Sequence, residues 1–131
     1  MNNKSIFTRI IDGEIPAYKI YEDDKVIAIL DIHPIHQGHT LVIPKKQVDH
    51  IWDLNDEDYD YLWKISKKIG KHIKDTLDSP RVGIVVEGFG VSHAHVHLVP
   101  IYKGNDLKLP QDMEAEPDHE ALAIMVKRLK L

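Results

Sequence analysis

Cysteine is missing from this chain altogether. Its absence excludes disulfides, thiol nucleophiles and Cys-ligated zinc, and is compatible with a reducing cytosol. Positive charge is also short: 17 Lys plus Arg stand against 21 Asp plus Glu, a formal net charge of −4. Binding to DNA or RNA depends on a basic footprint, so no nucleic-acid partner is expected. No apolar run approaches the roughly 18–20 residues needed to cross a bilayer. The charged opening, MNNKSIFTRIIDGEIP, has no apolar stretch of signal-peptide length. A cytoplasmic protein without a membrane partner is expected. Internal repeats, low-complexity tracts and linkers are absent too, and 131 residues suit a single domain over 1–131.

What is present reads as short strands around one long helix. Ser5 can cap a helix whose Ile6, Phe7, Ile10 and Ile11 share a face, with Gly13 just past its end. Tyr18–Tyr21, Val26–Ile32 and Thr40–Ile43 are strand-like, separated by an Asp23-Asp24 turn and a connection holding Pro34 and Gly38. Such connections are too short for parallel crossovers, so an antiparallel meander is expected. Asn55 can cap a helix near 55–77 in which Leu62, Ile65, Ile69, Ile73 and Leu77 form one stripe. Lys64, Lys67, Lys68, Lys71 and Lys74 occupy its other face and read as solvated, the later ones complementing the helix dipole. Val82–Val86 and His93–Ile101 complete the strands, around a glycine turn at Glu87–Gly90. Residues 107–117 look irregular, and a C-terminal helix is predicted at about 118–130. The fold class is α+β: about five antiparallel strands, one long helix, and shorter N- and C-terminal helices.

The chemically informative segment is Ser92-His93-Ala94-His95-Val96-His97-Leu98-Val99. In a strand, His93, His95 and His97 share one face, while Ala94, Val96 and Leu98 share the other. A row of imidazoles beside a glycine turn is not a core pattern. Three chemistries could use it. A His-x-His pair can bind zinc, but the outer positions lie about 13 Å apart at strand rise, so one ion cannot easily take all three. A histidine could serve as acid or base for a hydroxyl, with Ser92 the only one nearby. Or a histidine is itself the nucleophile, since imidazole with a pKa near 6.5 is largely neutral at pH 7.

His93-Ala94-His95-Val96-His97-Leu98-Val99 resembles the histidine-triad (HIT) signature, in which histidines alternate with apolar residues. Other segments agree in order: Ile6–Ile11 with Glu14–Ala17, Tyr21–Asp24 with Ala28–Ile32, and Gly38–Lys45, so the match spans about residues 5–106. The resemblance implies a nucleotide hydrolase or transferase that cleaves at the α-phosphate of a purine (AMP- or GMP-type) nucleotide, either a nucleoside phosphoramidate or a dinucleoside polyphosphate. Its alternative is a nucleotide-binding or scaffold protein with little turnover. By position, His95 corresponds to the nucleophile, His97 to a phosphate contact, His93 to a supporting residue, and His39 to a fourth histidine bonded within the triad. Asp31 corresponds to the carboxylate that accepts the ribose hydroxyls. Ile6, Phe7, Ile10, Ile29 and Ile32 correspond to the base pocket, and Gly90 and Ser92 to the loop before the triad. That loop is shorter than is usual in the family. Glu87 stands where an amide is common, and is expected to point away from the phosphate. No metal and no cofactor are expected; the zinc ligands of some members are absent, and a C-terminal helix is present as in many bacterial members. Family members pair as twofold dimers, so a homodimer is expected, using the long helix and Val82–Val86. His33, His36 and His50 match no family position and read as surface residues.

Overall fold

Each helix begins where a short polar side chain can accept a free backbone N–H. Ser5 caps α1 (Ile6–Ile11) by accepting from the Thr8 amide at 3.0 Å. Asn55 caps α2 (Asp56–Leu77) through the Asp58 amide at 2.8 Å, and Asp118 caps α3 (His119–Leu129) through the Ala121 amide at 3.0 Å. The computed structural model describes residues 3–131. Asp56, Glu57 and Asp58 fill the first turn of α2, where carboxylates suit the helix dipole. The five lysines on its outer face are exposed, as expected.

The strands are β1 (Lys19–Glu22), β2 (Val26–Leu30), β3 (Thr40–Pro44), β4 (Arg81–Val85) and β5 (Val96–Ile101). They form one sheet in the order β1-β2-β3-β5-β4, every neighbouring pair antiparallel. This is the α+β architecture read from the sequence. No helix among the described residues is long and apolar enough to cross a membrane.

Both faces of the central strands are covered, so β2 and β3 are buried at every position. Alternation along the strands sorts their side chains. On one face Val26, Ala28, Leu30, Val42, Val96 and Leu98 pack with the Leu62–Ile73 stripe of α2 and with Leu122, Met125 and Leu129 of α3. On the other, Ile27, Ile29, Leu41 and Ile43 pack with Phe7 and Ile10 of α1. Only six residues long, α1 leaves part of that second face to a cavity.

Two local features position the site. Gly38 sits at φ +100°, and a Cβ there would come within 2.5 Å of Leu77 Cδ1, so the turn that delivers His39 to β3 requires glycine. The last strand is shorter than the sequence suggests: β5 begins at Val96, not His93. The Ala94 amide donates to Val48 O at 2.7 Å and the His93 amide to Val91 O at 2.9 Å, so residues 93–95 lie outside the sheet ladder.

Candidate functional site

The three triad histidines do not stand in a simple row. His93 is wholly buried and lies behind the cavity wall. Its Nε2–H donates to Pro44 O at 2.7 Å, which leaves Nδ1 as an acceptor for the Ser5 hydroxyl at 2.7 Å. Ser5 therefore does two things at once: its oxygen caps α1, and its hydrogen fixes His93. Gln47 ties the same helix start to the loop after β3, its Oε1 accepting from the Ser5 amide at 2.8 Å and from Thr8 Oγ1 at 2.7 Å.

Backbone partners also fix the other rings. His95 Nδ1–H donates to His93 O at 2.7 Å, so its Nε2 is unprotonated when the ring is neutral. Phe7 packs edge-on against His95, with ring centroids 4.9 Å apart. The Ile35 amide donates to His39 Nδ1 at 3.0 Å, which places the His39 proton on Nε2. That proton is donated to His97 Nδ1 at 2.9 Å, leaving His97 with an N–H at Nε2. One nitrogen acceptor on His95 and one N–H donor on His97 thus stand side by side, ring centroids 4.9 Å apart.

Burial lowers the pKa of all four rings from 6.5, and for His97, which also has His95 and His39 as neighbours, to about 4. Neutral imidazoles are therefore the resting state at pH 7. Asp31 opposes this trend at His39, His95 and His97, and Glu87 does so at His95, without overcoming the burial.

His95 and His97 open into a cavity of about 820 Å³. Its walls include Ile6, Phe7, Ile10, Ile29 and Ile32, the residues assigned to the base pocket, together with Asp31 and Gly90. Ser92 is exposed and does not line it, because the tight turn closed by His93 on Val91 leaves Ser92 on the outside. His39 and His93 act from behind the wall. Contrary to expectation, Glu87 lines the cavity, and so does His33. His36 is half-buried against Asp106, its Nε2 3.1 Å from the carboxylate; His50 is exposed as expected. The irregular segment after β5 contributes Gln111 and Met113, and α3 contributes His119, whose Nδ1 is hydrogen-bonded to the Tyr18 hydroxyl, Oη.

A family model for the HIT domain matches residues 12–104. The chain belongs to the HIT family. An uncharacterised HIT-like protein of Borreliella burgdorferi is 39% identical over 107 residues, covering 76% of this chain and 77% of its own. A HIT-like protein of Bartonella henselae involved in cell-cycle regulation, solved with an unknown ligand, superposes with a TM-score of 0.83 at 31% identity. That match covers 98% of this chain and 96% of the other. A Zn-bound histidine-triad family protein of Mycobacterium smegmatis superposes with a TM-score of 0.75 at 30% identity, covering 95% and 91%. HIT membership suggests a nucleotide-binding hydrolase or transferase.

The residues here do not suit zinc. Asp31, His39 and His97 bring ligand-type atoms within 4.8 Å of one another. But the His39 atom in that group carries the proton: a metal on Nε2 would move it to Nδ1 and strand the Ile35 amide.

Proposed function

We propose that this HIT protein cleaves purine nucleotides at the α-phosphorus through a covalent nucleotidyl intermediate on His95 Nε2. The observation that carries this reading is the His95 Nδ1–His93 O bond, which leaves a nucleophilic nitrogen in an apolar cavity next to an N–H donor. The His95 Nε2 lone pair forms the N–P bond while the bond from phosphorus to the leaving group breaks, its electron pair departing with that group, which, where it is an amine, takes up a proton from solvent. His95 becomes a cationic ring, and the His93 carbonyl accepts from its Nδ1–H throughout. His97 Nε2–H donates to a phosphoryl oxygen, an interaction that strengthens as charge develops there. Water then attacks phosphorus and gives up a proton to solvent, the N–P bond breaks with its electron pair returning to His95 Nε2, and the nucleoside monophosphate leaves. Asp31 accepts the ribose hydroxyls, and the isoleucines with Phe7 pack the base.

The cavity's charge favours one class of leaving group. It is lined by two carboxylates, Asp31 and Glu87, and among the described residues by no Lys or Arg. A polyphosphate chain finds no cation there, whereas an amine released from a phosphoramidate meets Glu87. The homodimer belongs to the same reading: β4 is a sheet edge, and its flank exposes Ile84 and Val86 by 54% and 41%. Scattering that found only monomer at micromolar concentration would remove the dimer.

The function is tested by offering an adenosine phosphoramidate of a primary amine and diadenosine tetraphosphate. Release of AMP is expected, faster from the first. AMP binding without turnover of either substrate would replace this reading with a nucleotide-binding or scaffold protein.

A further inference from the structure

Gln111 lies beyond the residues that match the HIT domain, 12–104, in a stretch with no regular structure. It nonetheless reaches the centre of the site. Its Nε2 donates to Asp31 Oδ2 at 2.8 Å and to the His33 carbonyl at 2.8 Å. Both partners are acceptors, so the amide can face only one way, with both of its hydrogens committed. Asp31 is thereby held at both ends, because the His33 amide donates to its Oδ1 at 2.8 Å. A carboxylate has about four acceptor positions, so each oxygen keeps capacity after these bonds. Gln111 Oε1 has no protein partner among the described residues, and the side chain lines the cavity.

From this arrangement we propose that Gln111 is a positioning and specificity residue for the sugar. It locks the Asp31 carboxylate in one orientation and offers Oε1 as an additional acceptor for a ribose hydroxyl. The segment after β5 is then part of the nucleotide site. A free carboxylate side chain would have to be ordered on binding, and a pre-oriented one does not, so the bond to Gln111 adds to affinity only for ligands that carry the hydroxyls. The inference rests on the nucleotide reading of the cavity.

The test is calorimetric titration of the full-length protein with AMP and with 2′,3′-dideoxyadenosine monophosphate, in the unaltered, Gln111→Ala, Gln111→Glu and Asp31→Asn forms. Gln111→Ala is expected to weaken AMP about tenfold, as for loss of one hydrogen bond to a charged group, and to leave the dideoxynucleotide unchanged. Gln111→Glu, which sets a second carboxylate against Asp31, is expected to weaken AMP further. Adding Gln111→Ala to Asp31→Asn is expected to cost little more, since both act through one group. Equal losses for the two nucleotides would make the residue a general wall element and overturn the proposal, as would no loss at all. The unaltered protein separates the two levels: failure of AMP to bind it overturns the nucleotide reading together with this one.

Discussion

His95 donates from Nδ1 to the carbonyl of His93, two residues earlier, at 2.7 Å. His93 cannot shift to break that bond, because its own ring is pinned between the Pro44 carbonyl and the Ser5 hydroxyl. The tautomer of the proposed nucleophile is therefore set by the fold, and the chain of contacts runs back to the first turn of α1.

Ser5→Ala should consequently do more than remove a helix cap. Loss of the cap costs about 1 kcal/mol, and leaving His93 Nδ1 buried without a donor adds about 1–3 kcal/mol. Chemical denaturation should show a loss of about 2–4 kcal/mol, the sum of the two. Turnover should fall in the folded variant as well. A loss of only a few tenths with full activity would mean that Ser5 does not anchor the triad.

The buried histidines set the acid limb of stability. Their folded pKa values lie below the ordinary 6.5, with His97 at about 4. Between those limits the unfolded chain binds more protons than the folded one, so stability rises with pH. The contribution is complete above 6.5 and is lost as pH falls toward 4. Melting temperature should decline across that window, and kcat/KM should stay flat from pH 8 to below 6.5. Stability that increased on acidification from 6.5 to 5 would show that the rings are charged in the folded state.

Asp31→Ala should weaken nucleotide binding by about 1.5–3 kcal/mol, the range for hydrogen bonds to a charged group. The penalty should largely vanish with a dideoxynucleotide. An equal penalty for both would assign Asp31 to folding, through its bonds to His33 and Gln111.

Turnover should survive exhaustive chelation, because the His39 proton occupies the atom a metal would need. Elemental analysis that found stoichiometric zinc, lost together with activity, would reverse this.

Much of the fold was legible locally. Ser5, Asn55 and the stripe from Leu62 to Ile73 mark two helices almost to the residue, because caps and periodicity act within one turn. The triad was visible for the same reason, as three histidines at a fixed spacing. Its geometry was not: His93 and His95 leave the strand because Val48, far earlier in the chain, takes the Ala94 amide. Glu87 and His33 reach the cavity, and Gln47 its partners Ser5 and Thr8, only through folding. Gln111 carried no signal beyond being a polar residue in an irregular stretch, since its bonds to Asp31 and His33 span 80 and 78 positions.

The covalent step can be read directly by intact-mass spectrometry of protein quenched during turnover of an adenosine phosphoramidate. The unaltered chain should gain the mass of one adenylyl group, His97→Ala should gain it about 10²–10³-fold more slowly, and folded, AMP-binding His95→Asn should not gain it at all. An adenylyl adduct on His95→Asn would contradict the account and move the nucleophile to another residue.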